Sequence, residues 1–215
     1  MSVVGSGQRD RVGILGGAFN PPHLGHLWLA QEAHTRLGLD RVLLVPFGEP
    51  PHRVLDADPG PRERLRLAQI AASDDERLVV SPLETNRSGP SYMADTLTLL
   101  REIEPAAELM LILGADQAMK LRSWHEPEQV LELARLAVAD RGGVGRDDVA
   151  AELDGLPGAD EIEGFEMPRI EISSTLVRAR VAAGLPIRYL VPDAVAEHIA
   201  TTGLYRATSS AEVAR

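Results

Sequence analysis

A glycine pair followed closely by two histidines is the first place in this 215-residue chain where residue types and spacing can do chemistry. The stretch reads Gly16-Gly17-Ala18-Phe19-Asn20-Pro21-Pro22-His23-Leu24-Gly25-His26 and falls where an apolar β-type run gives way to a helical pattern. Glycines at such a junction let backbone approach a ligand closely, and Asn20 with two prolines directs the turn. His23 and His26 share one side of the first helical turn, where the N–H groups of a helix start add positive potential. These features describe a phosphate site at a strand end. Two other readings stay open. The histidines can be a metal pair, although no third ligand is evident and there is no H-E-x-x-H, or they can be partly exposed cap residues.

A second constellation, Ile172-Ser173-Ser174-Thr175-Leu176-Val177-Arg178, also opens a helix. Ser174 and Thr175 can donate to phosphate oxygens from the helix start, and Arg178, one turn on, can present a planar fork to the same anion. Plain helix capping is the alternative, with Ser173 as the cap.

Both motifs need strands that end beside each other. The run Val12 to Leu15 predicts a first strand, and the pattern from about Leu24 to Leu37 a helix. Arg41 to Val45 predicts a second strand. Pro46, Gly48, Pro50, Pro51, Pro59 and Gly60 then mark a long loop before a helix from Pro61 to Ala72. Leu78 to Ser81 predicts strand three, Ser91 a helix cap with the helix running through Leu100, and Leu109 to Leu113 and Arg135 to Ala139 two further strands. Asp140 to Asp160 reads as a surface excursion with a short helix at Asp147 to Leu153, and no chemistry is assigned to it. A strand near Glu161 to Phe165 and helices at about Thr175 to Ala183 and Pro192 to Thr201 complete the pattern, with a frayed tail from Ala207. The expectation is a single α/β domain with its core at about residues 12 to 205: a doubly wound, Rossmann-like parallel sheet with C-terminal helices and a crevice at the carboxyl ends of its strands.

Composition narrows the chemistry. With 44% hydrophobic and 25% charged residues the chain is an ordinary globular sequence. It contains no cysteine, which removes thiolate zinc sites and cysteine nucleophiles. A net charge of −10 argues against nucleic-acid or anionic-membrane partners, yet leaves room for a small anion held by local donors. No run approaches about 18 apolar residues, and residues Met1 to Arg11 lack the apolar centre of a signal peptide, so a cytoplasmic protein is expected.

Taken together, the motifs resemble the nucleotidyltransferase superfamily with the H-x-G-H signature, and within it the nicotinate-nucleotide adenylyltransferases. Pro50-Pro51-His52-Arg53, Gly89-Pro90-Ser91-Tyr92-Met93-Ala94-Asp95-Thr96, Leu113-Gly114-Ala115-Asp116, Ser123-Trp124-His125 and Ile187-Arg188-Tyr189-Leu190-Val191-Pro192 are also similar to that family. The likeness spans Val12 to Tyr205. It implies attack of nicotinate mononucleotide on the α-phosphorus of ATP, giving deamido-NAD and pyrophosphate without a covalent enzyme intermediate. By the resemblance His23, His26 and Arg178 are the catalytic residues and face the phosphates, and Ser174 and Thr175 face their β/γ portion. Gly16, Gly17, Phe19, Gly114, Asp116 and Ile172 complete the ATP side. Mg²⁺ is implied on the pyrophosphate, held by substrate and water with no protein ligand. Ala18, Asn20, Arg53, Tyr92, Met93, Ala94, Trp124 and His125 fall on the mononucleotide side, with the ring acid met by main-chain N–H groups. Asp116 is read equally well as a ribose acceptor or the N-cap of a short helix, Arg53 as a phosphate contact or a solvated charge, and Trp124 as a stacking wall or core.

The chain departs from the family pattern at Ala18, Asn20, Arg53 and Met93, where threonine or serine, aspartate, lysine and threonine are usual. Ala18 and Met93 each delete a hydroxyl. Competing readings are a phosphopantetheine adenylyltransferase or cytidylyltransferase, a synthetase fragment that lacks its lysine loop, and an inert nucleotide-binding module. A dehydrogenase is disfavoured because Gly13, Gly16 and Gly17 do not give G-x-G-x-x-G. A homo-oligomer is compatible with all of these.

Overall fold

Strand runs that are apolar on both faces belong in a sheet covered by helices on both sides. The computed structural model describes residues 9–51, 54–140 and 142–207. In chain order these form β1 (Arg11–Gly17), α1 (Leu24–Leu37), β2 (Arg41–Pro46), α2 (Pro61–Ala72), β3 (Leu78–Val80), α3 (Met93–Ile103), β4 (Glu108–Gly114), α4 (Ala115–Ala118), α5 (Pro127–Leu133), β5 (Arg135–Asp140), α6 (Arg146–Glu152), β6 (Glu163–Glu166), α7 (Ser174–Ala182) and α8 (Asp193–Thr202). The sheet order is β3-β2-β1-β4-β5-β6, and every neighbouring pair is parallel. The order reverses between β1 and β4, so the ends of those strands flank the crevice of a doubly wound sheet, as expected.

Alternate strand residues feed two cores. Val12, Ile14, Val45, Leu111 and Leu136 face the layer of α3 and α5, whereas Leu15, Leu44, Met110 and Ala137 face the layer of α1 and α2. Gly13 sits where a Cβ would come within 2.7 Å of Leu39 and 2.8 Å of Ile112, so its lack of a side chain is a packing requirement. The C-terminal helices pack on α2 through a third cluster that includes Leu67, Val177, Val195 and Ile199.

Boundaries differ from expectation in informative places. β1 runs two residues further than predicted because Gly16 and Gly17 still pair with Val45 and Pro46. Ser91 does not cap α3. Tyr92 is the N-cap, without a side-chain bond, and the Ser91 hydroxyl instead accepts the N–H of Gly48 at 2.9 Å. Two short helices, α4 and α5, lie between β4 and β5; of these only a short helix at Asp116 is among the sequence readings, as one of two alternatives. The tail lies outside the described residues beyond Ala207.

Two buried polar groups hold the loop that follows β2. Arg64 of α2 is fully buried, and its guanidinium bonds Asp58 at 2.9 Å, the carbonyl of Gly48 at 2.8 Å, and the carbonyls of Phe47 and Ala18. It therefore ties the ends of β1 and β2 to one helix. Glu84 is 1% exposed and accepts the Thr96 hydroxyl at 2.7 Å. Burial pushes its carboxyl above the ordinary value, and the Thr96 and Ser91 hydroxyls offset this in part. Gly48 passes directly over it, for a Cβ there would sit 2.2 Å from the Glu84 carbonyl oxygen.

Arg64→Met should destabilise the fold by about 3 kcal/mol in urea unfolding, because carbonyls of both loops lose their donors. The half-wet Asp58 adds little to this. Arg62→Met, at an exposed position of the same helix, should stay within about 0.5 kcal/mol of the parent. For Glu84 the folded state holds the proton more tightly than the unfolded chain. Its contribution is thus complete below the ordinary carboxylate value of about 4.3 and declines as pH rises through the raised folded value. Glu84→Gln should remove that decline, so its Tm should gain on the parent's between about pH 4.5 and pH 8. A difference independent of pH would show that the carboxyl is not titrating in the fold.

Candidate active site

The turn after β1 is built by its backbone conformation and long-range bonds together. Phe19 takes a positive φ of 49° and is fully buried, and the Asn20–Pro21 peptide bond is cis. Asn20, 2% exposed, donates from Nδ2 to the Asp56 carbonyl at 3.0 Å and accepts the Tyr205 hydroxyl at 2.8 Å. Burial pushes the Tyr205 phenol well above its ordinary value, which keeps it a donor. With both ends of its side chain engaged by protein, Asn20 shapes the loop and offers the cavity mainly backbone.

His23 is the N-cap of α1 in extended conformation, and its N–H donates to Nδ1 of His26 at 3.2 Å. That bond leaves the ring proton of His26 on Nε2. The two imidazoles stack at 3.8 Å between centroids, and the Phe19 ring lies 5.0 Å from His26. His26 is thereby fixed on several sides and lines a cavity of about 660 Å³, whereas His23, 8% exposed, sits behind it.

The second motif docks onto this loop. Ser173 caps α7, its hydroxyl accepting the N–H of Leu176 at 3.1 Å. Ser174 donates its hydroxyl to the Pro21 carbonyl at 2.8 Å, and Arg178 donates to the Asn20 carbonyl at 2.8 Å. Arg178 also lies 3.4 Å from the Thr175 hydroxyl and 3.8 Å from the Asp56 carboxylate. Motifs 158 positions apart in the chain thus share one wall. The Ser174 hydroxyl proton is already placed, so toward an anion this residue offers its first-turn N–H.

The remaining predicted residues divide clearly. Gly16, Gly17, Ala18, Phe19 and Asn20 line the first cavity together with Thr175 and Arg178. So do Tyr92, Met93, Trp124 and His125 opposite, where Tyr92 and His125 stack at 4.1 Å. Ala94 is fully buried beneath the start of α3. Asp116 and Ile172 line a second cavity of about 580 Å³ that meets the first at Ser173. Gly114 is the N-cap of α4, so the alternative reading of Asp116 as an N-cap does not hold; its carboxylate is exposed in the first helical turn. Arg53 lies outside the described residues, as does His52.

Sequence reasoning missed several lining residues. Gln117 and Lys120, in and after α4, belong to the first cavity, as does Asp56. Gly142, Val144 and Arg169 belong to the second, although the stretch after Asp140 was assigned no chemistry. The rule that ligands gather at strand ends was the available signal, since β5 ends at Asp140 on the same edge as β1 and β4.

Residues 14–180 match the family model described as Cytidylyltransferase-like. A protein of Roseiflexus sp. (strain RS-1), named "Probable nicotinate-nucleotide adenylyltransferase", is 45% identical over 197 residues, covering 91% of this chain and 98% of that protein. A protein of the same name from Saccharopolyspora erythraea is 40% identical over 200 residues, covering 93% of this chain and 91% of its own. Among solved structures, a Plasmodium falciparum nicotinic acid mononucleotide adenylyltransferase complexed with NaAD superimposes with a TM-score of 0.74 at 17% identity, over 92% of this chain and 98% of that one, a likeness of fold. Fold, paired motifs and relatives agree, and the chain belongs to the nicotinate-nucleotide adenylyltransferases of the cytidylyltransferase-like family.

Proposed function

We propose that this protein transfers the adenylyl group of ATP to nicotinate mononucleotide, releasing pyrophosphate. The observation that carries the reading is the joining of the two motifs on one cavity wall: Ser174 and Arg178 donate to the carbonyls of Pro21 and Asn20, and His26, its Nδ1 accepting the His23 N–H, lines the same cavity. Two cavities that meet at Ser173 support a division of substrates, each being of a size that holds a nucleotide. Adenosine takes the second cavity, beside Asp116 and Ile172. The triphosphate crosses at Ser173 to Arg178, and the mononucleotide occupies the first cavity with its ring against Trp124.

The attacking oxygen belongs to the acceptor's phosphate, which is already anionic at neutral pH. It forms a bond to the α-phosphorus as the bond from that phosphorus to the bridging oxygen of pyrophosphate breaks. No proton needs removal from the nucleophile, so the protein's work is in-line positioning and stabilisation of charge on the five-coordinate phosphorus. His26 donates from Nε2 to a non-bridging oxygen. Arg178, anchored by Asn20 and Thr175, keeps its remaining N–H groups for the phosphates. The first-turn N–H groups of α7 point at the same charge. The donors suit a divalent ion carried by the nucleotide: among the described residues no three His, Asp or Glu side chains are grouped to cage a metal, and Asp56, which lines the first cavity, is 90% exposed. Mg²⁺, where bound, would be carried by the triphosphate and water and would supply neutralisation of charge on the pyrophosphate.

Pyrophosphate release from ATP and Mg²⁺, assayed with each acceptor separately, tests the reading. Nicotinate mononucleotide should exceed nicotinamide mononucleotide by about 10² or more in kcat/KM, since buried donors are poorly matched by an amide. His26→Ala should lower kcat by about 10² to 10³ with little change in KM, and near-parental kcat would remove its role. Trp124→Ala should raise KM for the mononucleotide and leave that for ATP unchanged; a defect confined to ATP would place Trp124 outside the acceptor pocket.

A further inference from the structure

Lys120 is the sole lysine of the chain, among twenty-two basic residues, and it lines the first cavity. Its backbone is pinned on both sides: its N–H donates to the Gln117 carbonyl at 3.0 Å, and its own carbonyl accepts the Ser123 N–H at 2.9 Å and the Ser123 hydroxyl at 2.7 Å. The side chain leaves this fixed base exposed, and among the described residues it forms no ion pair with any carboxylate. Lys120 and Arg178 are the two full cations among the described residues that line the cavity, and they come from different elements. Arg178 is bound to the turn after β1, while Lys120 leads into the turn carrying Trp124 and His125, which stacks on Tyr92 at the start of α3.

The geometry points to Lys120 as a specificity-determining residue that meets the carboxylate on the acceptor's pyridine ring, an assignment that rests on the function proposed above. Phosphates gathered at His26, Ser173 and Arg178 place the ring of the acceptor toward Trp124, and its acid group then falls on the wall that Lys120 joins. An ammonium on a flexible stem brings a compact positive charge to a single carboxylate presented at the rim of a stacking surface. Main-chain N–H groups at the start of α3 contribute dipoles there; Lys120 adds net charge, and net charge is what separates an acid from an amide. The site therefore reads the acceptor's charge from the ring end and its phosphate from the other.

The test pairs kinetics with labelling. Lys120→Met should lower kcat/KM for nicotinate mononucleotide about tenfold through KM, the worth of one charge-assisted bond at an exposed position, and leave KM for ATP and turnover of nicotinamide mononucleotide unchanged. Lys120→Arg, which keeps the charge, should recover most of the loss. An unchanged ratio between the two acceptors overturns the proposal, and so does an equal loss for both, which would put the ammonium on their shared phosphate. Separately, pyridoxal phosphate with borohydride reduction should label Lys120 as the one side-chain amine, read by peptide mass. Nicotinate mononucleotide should protect it, and nicotinamide mononucleotide or ATP should not. This arm needs no turnover. Protection in an enzyme that uses neither acceptor would reject the proposed reaction and keep Lys120, whereas turnover with no protection would keep the reaction and reject Lys120.

Discussion

A charged group with no exposure to water holds the catalytic edge of this fold together. Arg64 reaches from α2 to the carbonyls that follow β1 and β2, and α2 is also the helix on which α7 and α8 pack. The guanidinium can stay buried only while each of its N–H groups finds an acceptor, so the two loops and the helix must arrive in one relative position. Much else depends on that position. The turn bearing the histidines grows from the Ala18 end of the clamp, and the loop leading to Asp56 and Asp58 grows from the Gly48 end. Glu84, Ser91 and Thr96 continue the same polar seam to the start of α3, which forms the opposite wall of the cavity.

This seam reconciles an acidic protein with anionic substrates. A net charge of −10 is a property of the whole surface, while the first cavity is lined by His26, Lys120 and Arg178. Such donors act at short range, where the field of distant carboxylates is screened by salt. Specificity then comes from placement, and placement comes from backbone carbonyls that are themselves held by Arg64 and Arg178.

How much of this was legible in the residues depended on the range of the interactions involved. Strands were readable because burial on both faces leaves an unbroken apolar run, as in Leu109 to Leu113. The two motifs were readable because glycine, hydroxyl and imidazole types are concentrated within a few positions. Gly16 and Gly17 lie beyond the apolar run that predicts β1, and nothing local shows that Val45 and Pro46 pair with them. Ser91 was taken for a cap because a serine hydroxyl satisfies any nearby N–H, and here the one it meets is Gly48, 43 positions away. Arg64 shares a helix face with Leu67 and Ala68, a spacing that marks an inward side chain, whereas its neighbours Arg62 and Arg66 are exposed. Lys120 carried a compositional signal, its being the sole lysine, that was there to be counted.

The bonds to Asn20 carry a consequence for synthesis. Its side-chain oxygen is held by Tyr205 and its carbonyl by Arg178, both from the last part of the described chain. As the polypeptide emerges from the ribosome, every strand of the sheet is exposed before Tyr205 is. The histidine turn consequently spends the greater part of translation without the contacts that set it. The native form of that turn is thus coupled to synthesis of the chain through Tyr205.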